Sequence, residues 1–393
     1  MAARQFADND RIALVKIPLL GGLSASTFLR RHWQKNPLLI REAIPGFEGV
    51  VDFAAMIELA GRDDCESRLL LRNGRRWVVE HGPFARRYLS RLPRCNWTLL
   101  VQGVNLFMPA ARQLLSRFDF IPHSRLDDLM VSYAPPGGGA GPHFDSYDVF
   151  LLQGPGRRRW KVGRQDDLTL LDGAPLKILR RFAPQGECVV GPGDMLYLPP
   201  RFAHNGVAVD ACYTYSIGFR APSHRELVSQ FLIFLEERLA PPGRYEDPDL
   251  ATQAHPARIG SATIAQVQRT LDRIRWNRGD VTDFLGTCLT EPKPHVVFSP
   301  PRKPLALKAF LRSAHNRGLE LALPAQMLYS GSRLFINGES LVINAGEAQP
   351  LRALADVRRL AGREVPRAGT AAEALYRWYR SGYILPATNV IAT

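Results

Sequence analysis

Short apolar runs separated by glycine and proline turns fill residues 128–219. We predict strands for Leu129–Tyr133, Val149–Gln153, Arg157–Val162, Cys188–Val190, Met195–Leu198 and Cys212–Phe219. Short strands at this spacing, bounded by turn residues, are typical of a β-barrel or a β-sandwich. Residues 22–60 instead mix helical patterns with loops.

Helical spacing replaces the strand pattern after residue 222. Ser223 and Glu226 have the spacing of a capping box. Apolar residues then repeat at helical intervals in two stretches, namely Leu227, Val228, Phe231, Leu232 and Leu235, and then Ile264, Val267, Leu271 and Ile274. The apolar faces of this helical region, residues 223–290, could close a dimer or pack on the β-rich part.

A proline-rich linker opens a third unit, residues 291–393. Helices are predicted near 305–316, 350–361 and 371–381, and a hairpin joins Arg333–Ile336 to Ser340–Ile343 through Asn337-Gly338-Glu339. Thr370 and Glu373 suggest a capping box for the last helix, and Gly382 suggests its end. Helices around a hairpin resemble a winged helix, a fold that binds either nucleic acid or protein.

Composition narrows the class of protein. No run of 18 apolar residues occurs, so we expect no membrane span. Charges at Asp8, Asp10 and Arg11 argue against a signal peptide, and we expect a cytoplasmic protein. The five cysteines form no C-x-x-C pair, which predicts reduced thiols and no zinc site.

The net charge of +14 favours polyanionic partners such as nucleic acid or a ribonucleoprotein, although a soluble enzyme from a basic proteome carries the same charge. Residues 291–393 contain 14 Lys and Arg against 7 Asp and Glu. Contact with the ribosome or with nucleic acid through this C-terminal unit is therefore one hypothesis.

A possible metal site stands out in the β-rich part. His143 and Asp145 follow a glycine-rich segment at i and i+2, a spacing that places both side chains on one face of a strand. His204 comes 59 residues after Asp145, beyond the run Met195–Pro200. Two histidines and one carboxylate form the facial triad of non-haem Fe(II) oxygenases. Either histidine alone would be interpreted as an ordinary core or surface residue, and the context favours the metal.

Arg158 gives an independent signal. Strand alternation places it with Trp160 and Val162 on one face, whereas Arg157, Arg159 and Lys161 take the solvent face. A buried guanidinium needs an anion, either a protein carboxylate or the distal carboxylate of a 2-oxo acid cosubstrate. The nearby triad favours the cosubstrate.

Weaker hypotheses concern the mouth of the site. Tyr147 and Asp148 follow the H-x-D pair, and Asp148 could bind a cationic substrate or make a loop hydrogen bond. Ser216, on the last strand, should border the pocket, although a structural role in packing the core or the pocket wall is the favoured interpretation.

Several segments resemble the bacterial ribosomal oxygenases of the JmjC/cupin class. They are Phe28–Ile40, Gly141–Phe150, Gln153-Gly154, Arg157–Trp160, Gly193–Pro200, His204 and Ser216–Pro222. The resemblance implies an α+β chain with a double-stranded β-helix catalytic domain at 1–222, a helical dimerisation region at 223–290 and a winged-helix-like domain at 291–393. The last two regions resemble the family in the order of their elements and not in a sequence motif.

The resemblance also implies an activity: 3-hydroxylation of an arginine in the large-subunit ribosomal protein L-sixteen, by a homodimer. Fe(II) would bind His143, Asp145 and His204, with 2-oxoglutarate and O₂ as cosubstrates. Arg158 would bind the distal carboxylate of 2-oxoglutarate, where eukaryotic relatives use lysine. Ala134 departs from the hydroxyl residue expected before the Pro-Gly-Gly-Gly loop, so Ser132 or Tyr133 would have to replace that polar contact.

Two other functions remain open from the sequence. The same metal chemistry serves JmjC-type N-methyl demethylases, whose pocket would accept a methylammonium instead of a guanidinium. A non-catalytic cupin module that docks nucleic acid or the ribosome is the alternative from a different class, and the intact H-x-D and distal histidine argue against it.

Overall fold

The computed structural model describes residues 17–74, 76–239 and 242–387. The N-terminal charges that argue against a signal peptide lie outside these residues. In chain order, the first strands are β1 (Leu38–Ile40), β2 (Ser67–Asn73), β3 (Arg76–His81), β4 (Trp97–Val101), β5 (Leu126–Ala134), β6 (Asp148–Gln153), β7 (Arg158–Arg164), β8 (Gly186–Val190), β9 (Met195–Leu198), β10 (Phe202–Ala208) and β11 (Cys212–Phe219).

These strands form two facing sheets. The larger sheet has the order β1-β9-β6-β11-β5-β4-β2-β3, and the smaller has the order β10-β7-β8. All the pairings are antiparallel. Side chains from both sheets, among them Leu151, Trp160 and Val190, pack together in one cluster. This architecture confirms the predicted double-stranded β-helix, the cupin fold.

The six predicted strands all exist, and the structure adds others. Met195–Leu198 and Cys212–Phe219 match β9 and β11 residue for residue, whereas β7 begins one residue later and ends two residues later than predicted. Strand β10, which carries His204, was missed because its sequence has no clear alternation of apolar and polar residues. Strands β1 to β4 lie in the region where the sequence suggested helices and loops or gave no signal.

The helices and remaining strands complete the chain. The helices are α1 (Ala25–Arg31), α2 (Phe53–Ala60), α3 (Arg86–Leu89), α4 (Pro109–Ser116), α5 (His224–Leu239), α6 (Ser261–Leu271), α7 (Arg278–Thr290), α8 (Leu307–Arg317), α9 (Ala345–Val357) and α10 (Thr370–Arg380). The C-terminal strands are β12 (Leu319–Leu321), β13 (Met327–Ser330), β14 (Arg333–Ile336), β15 (Glu339–Val342), β16 (Arg359–Leu360) and β17 (Ile384–Pro386). Among described residues, no helix is long and apolar enough to cross a membrane.

The largest core lies behind the larger sheet. Phe28 of α1 packs edge-on against Tyr197 of β9, with ring centroids 4.9 Å apart, and both are fully buried. Phe150 of β6 joins the same aromatic cluster. Because this core fixes one face of the sheet, the opposite face of β5, β6 and β11 is free to line a cavity.

The capping-box predictions had different outcomes. At the start of α5, the Ser223 amide donates to Glu226 over 2.7 Å and the Glu226 amide donates back to Ser223 over 3.2 Å, as predicted. At α10 the prediction was wrong, because Gly369, with φ of +87°, precedes the helix and Thr370 is already helical. Gly382 follows the helix with φ of +76°, as expected for its end.

The C-terminal unit contains the predicted hairpin. Asn337 and Gly338 both have positive φ, as a type I′ turn requires, so β15 begins at Glu339 and the turn has two residues. Helix α9 begins five residues earlier than predicted and includes Pro350. Helices and hairpins enclose a separate apolar core around Phe310 and Trp378.

Helix α7 connects this unit to the rest of the chain. Gly286 lies so close to Phe335 of β14 that a Cβ would fall 2.3 Å from the ring. Asp283 accepts hydrogen bonds from Arg238 of α5 and from Arg333 of β14.

Candidate metal centre

The structure brings His143, Asp145 and His204 together. His143 and His204 form an antiparallel bridge in which the His143 amide donates to the His204 carbonyl over 3.0 Å and the reverse bond is 2.8 Å long. The Arg201 amide donates to the Asp145 carbonyl over 2.8 Å. The segment around His143 is otherwise irregular, so these bonds, and not the expected strand, place the side chains.

The side-chain geometry suits a metal ion. One potential ligand atom from each residue lies within 4.8 Å of the others, and His204 Nε2 is 3.7 Å from Asp145 Oδ2. The Nδ1 atoms of His143 and His204 lie 2.9 Å from the Gly141 carbonyl and 3.0 Å from the Phe202 carbonyl. A carbonyl only accepts, so each Nδ1 carries the proton and each Nε2 presents its lone pair to a metal.

The charge of the site also fits a divalent ion. Burial, together with the neighbouring His143, lowers the pKa of His204 to about 4, so this ring is neutral at physiological pH. Two imidazole ligands, which are neutral when they bind a metal, and one carboxylate would leave a net positive charge on a divalent ion and leave coordination positions open. The donor set therefore fits a facially coordinated transition metal.

The three residues open into a cavity of about 650 Å³. Arg158 lines this cavity from β7 and is 4% exposed, in agreement with its predicted inward position. Within the described part of the chain, its Nε and Nη2 atoms are buried without a hydrogen-bond partner. An anion that enters the cavity would meet a guanidinium with free donors.

Hydroxyl groups surround the same cavity. Ser132, Thr98 and Thr214 line it, and Ser132 Oγ lies 3.4 Å from the Thr214 carbonyl. The sequence gave no reason to select the two threonines. Ala134 instead packs with Ala208 and Cys212 and is fully buried outside the cavity.

Two of the predicted residues lie elsewhere. The Tyr133 ring packs on the other face of the sheet against Phe53 and Tyr213, with centroids 4.6 and 5.0 Å away, so strand alternation keeps it from the cavity. Asp148 is fully buried and accepts hydrogen bonds from Tyr197 and Gln34, of 2.5 and 3.0 Å. Asp148 therefore joins β6 to β9 and the α1–β1 loop, and it is not among the residues that line the cavity.

Tyr147 and Ser216 do line the cavity, Tyr147 at 41% exposure and Ser216 at 8%. The structure adds an acidic wall that sequence reasoning missed. Asp127 and Asp128 of β5 both border the cavity, and Asp128 is 4% exposed. Asp128 shares strand parity with Ser132, so the alternation argument used for Arg158 could have identified it.

The two oxygens of the Asp128 carboxylate have different surroundings. Its Oδ2 accepts hydrogen bonds from Gln102 Nε2 over 2.7 Å and from the Gly103 amide over 3.0 Å. Burial and the adjacent Asp127 raise its pKa, and Lys293 opposes that shift. A Cβ built on Gly218 would lie 3.9 Å from both Asp128 Oδ1 and the Tyr147 ring, so Oδ1 lies on the side of these cavity-lining residues.

Comparison with known proteins identifies two matching families. The family described as JmjC domain matches residues 113–227, and the family described as ROXA-like winged helix matches residues 273–384. The predicted winged helix is thereby confirmed.

Individual relatives extend this likeness along the chain. The ribosomal protein uL16 3-hydroxylase of Escherichia coli is 34% identical over 321 residues, covering 80% of this chain and 84% of that protein. A probable ribosomal oxygenase of Haemophilus influenzae is 42% identical over 211 residues, covering 52% of each. The solved structure of YcfD, a ribosomal oxygenase from E. coli in complex with cobalt and 2-oxoglutarate, superposes with a TM-score of 0.78 at 32% identity, covering 92% of this chain and 97% of that one.

Proposed function

This chain belongs to the ribosomal oxygenases, a family of JmjC-domain proteins, and from that membership we propose that it 3-hydroxylates an arginine of the ribosomal protein uL16. It is a 2-oxoglutarate-dependent oxygenase. One observation carries the proposal: the histidine–aspartate cluster, the unpaired Arg158 and the buried Asp128 all line a single cavity.

His143, Asp145 and His204 would hold Fe(II) through two Nε2 atoms and a carboxylate oxygen. The bound iron, with 2-oxoglutarate and O₂, would supply the oxidising power that breaks a substrate C–H bond. The hydrogen bonds from each Nδ1 to a backbone carbonyl fix the ring orientations and the tautomers before the metal binds. The protein thus supplies a preformed set of donors.

Arg158 would bind the distal carboxylate of 2-oxoglutarate. Its buried Nε and Nη2 can donate two parallel hydrogen bonds, the geometry that guanidinium and carboxylate share. The Trp160 ring lies 5.8 Å from the guanidinium carbon and limits its movement. Among the lining hydroxyls, Ser132 supports the proposal that a polar contact survives without a hydroxyl at position 134.

The acidic wall favours arginine over a methylated amine. Asp128 offers a buried carboxylate to a guanidinium, with Tyr147 beside it. Recognition of a methylammonium typically uses a cage of aromatic rings. In the described residues, the aromatic side chains that line this cavity are Tyr147 and Trp160, and Trp160 already packs against His204 and Arg158. Arginine hydroxylation is therefore preferred to N-demethylation.

We further propose a homodimer formed by the helical region. Val228, Leu232 and Ile233 of α5 are 57–59% exposed, and Ile264 and Leu271 of α6 are 56% and 54% exposed. Large apolar side chains exposed to this extent are typical of a surface that another protein covers. Light scattering should give twice the chain mass for the wild type and the monomer mass for Ile233→Glu. A monomeric wild type would contradict the proposal.

We also propose contact with the ribosome or with nucleic acid through the basic C-terminal unit. Exposed cations such as Lys308, Arg312 and Arg363 support it. We expect the affinity for ribosomal particles to fall steeply with increasing salt, and to be lower in Lys308→Glu than in the wild type. Salt-independent binding would contradict it.

Substrate-coupled succinate formation tests the catalytic proposal. The wild type, supplied with Fe(II), 2-oxoglutarate and an arginine peptide from uL16, should form succinate, and His143→Ala and Asp145→Ala should lose this activity. His255→Ala is the matched control, because His255 is exposed and does not line the cavity. Full turnover in either cluster variant would refute the assignment of the ligands.

A further inference from the structure

Lys293 lies in the linker between α7 and α8, yet its side chain borders the cavity of the catalytic domain. Its Nζ is 3.3 Å from Asp127 Oδ1 and 3.9 Å from Asp128 Oδ2. The side chain is 37% exposed, so it lies at the rim between the buried wall and solvent. The C-terminal half of the chain thus contributes a cation to the substrate side of the cavity.

Both halves of the chain fix the position of this lysine. Arg220, which follows β11, donates from Nη1 to the Leu289 carbonyl at the end of α7 over 2.9 Å. The same arginine lies 3.6 Å from Asp127. On the other side, the Gly338 amide of the hairpin turn donates to Thr290 Oγ1 over 3.0 Å. These bonds fix the end of α7, where the linker begins, and so hold Lys293 beside the acidic pair, Asp127 and Asp128.

The acidic pair has an asymmetric set of neighbours. Asp127 faces two cations, Arg220 and Lys293, whereas Oδ2 of Asp128 is bound by Gln102 and Gly103 and is approached by Lys293. The ionisable groups around this part of the cavity are Glu66, Arg68, Asp127, Asp128, Tyr147, Lys177, Arg220 and Lys293.

We propose that Lys293 is a positioning residue of the substrate pocket, which anchors Asp127 and Asp128 so that Oδ1 of Asp128 faces the incoming guanidinium. This inference rests on the proposed arginine hydroxylase function. It makes the C-terminal half a contributor to substrate recognition, because the linker places the lysine.

A positive charge beside a cationic substrate also repels it, and the distances decide which effect is larger. Lys293 is nearer to Asp127 than to Asp128, so Asp127, which also pairs with Arg220, offsets part of the charge of the lysine. Without Lys293, two adjacent carboxylates would face each other with less compensation, which favours protonation of the buried one. Loss of the lysine therefore weakens guanidinium binding more than it relieves repulsion.

Steady-state kinetics with an arginine peptide from uL16 test this role. Lys293→Met should raise the KM for the peptide roughly tenfold and leave kcat and the KM for 2-oxoglutarate unchanged. The acid limb of kcat/KM should move to higher pH, since removal of a cation raises the pKa of a nearby carboxyl group. Lys293→Arg should restore both properties. Lys303→Met, an exposed lysine of the same linker, is the matched control.

The outcomes separate the two proposals. A merely structural role of Lys293 would lower thermal stability and kcat together and leave the acid limb in place, and that result would overturn the positioning role. Wild-type kinetics in Lys293→Met would overturn it as well. A wild-type enzyme that forms no hydroxylated arginine would instead refute the proposed function, and the role of Lys293 with it.

Discussion

Arg158 offers a prediction in which cosubstrate binding and stability change in opposite directions. Arg158→Met removes the guanidinium and keeps much of the side-chain volume. A buried cation with unpartnered donors is destabilising, so the variant without cosubstrate should be more stable than the wild type by about 1 kcal/mol or more. A guanidinium that serves the fold would give the opposite sign.

Cosubstrate binding should suffer strongly in the same variant. Loss of one partner of a buried, hydrogen-bonded charge pair costs about 3 kcal/mol or more, which corresponds to roughly a hundredfold or greater rise in the KM for 2-oxoglutarate. Arg158→Lys should lie between the two, because an ammonium cannot make the bidentate contact. Chemical denaturation and succinate formation across a 2-oxoglutarate titration measure the two effects.

Arg159→Met is the matched control. Arg159 lies on the same strand, with its side chain 52% exposed and its Nε 3.2 Å from Glu187. This variant should leave both the free energy of unfolding and the KM for 2-oxoglutarate close to wild type. If Arg158→Met destabilises the protein and still binds 2-oxoglutarate normally, Arg158 is a structural residue and the reasoning from its free donors is refuted.

Two predictions concern the scaffold. Asp283→Asn should destabilise the protein by about 1–3 kcal/mol at neutral pH, because Asp283 accepts from Arg238 and Arg333. Burial would raise the pKa of Asp283, but the two arginines lower it below its ordinary value, so the difference in stability persists above about pH 4 and disappears as the pH falls through the lowered pKa. Denaturation at neutral and acidic pH measures it, and a difference independent of pH would contradict the pairing. Gly206→Ala should destabilise by about 1–3 kcal/mol and weaken metal binding, since a Cβ would fall 2.5 Å from the Trp160 ring. Thermal unfolding with and without metal measures both effects. If Gly206→Ala has the same thermal midpoint as the wild type in both conditions, Trp160 can move away and the prediction is wrong.

Period-two alternation was the most informative signal for the cavity. It predicted the inward side of Arg158 from the residues that flank it, and burial of the side chain agrees. The same rule, applied to β5, would have excluded Tyr133 and selected Asp128. On β6 the rule also places Asp148 with Phe150 on the core side of the sheet, whereas its hydrogen bonds to Tyr197 and Gln34, which lie far away in the sequence, could not be predicted.

Other parts of the fold depend on contacts that sequence pattern does not contain. Strand β10 carries His204 but alternates poorly, and its register on β7 is set by the partner strand. His143 lies in an irregular segment held by its bridge to His204. The contribution of Lys293 was equally hidden, since only the folded chain brings the linker to Asp127. Local pattern thus predicted six of the strands and one of the two capping boxes, whereas long-range pairing determines how the site is completed.

The most direct test of the proposed function compares intact masses of ribosomal proteins from cells with and without this protein. We predict that uL16 from cells with the protein is heavier by one oxygen, that fragmentation places this oxygen on C3 of one arginine, and that a copy with His143→Ala fails to restore it. Identical masses in the two strains, or a difference of a methyl group in place of an oxygen, would contradict the account.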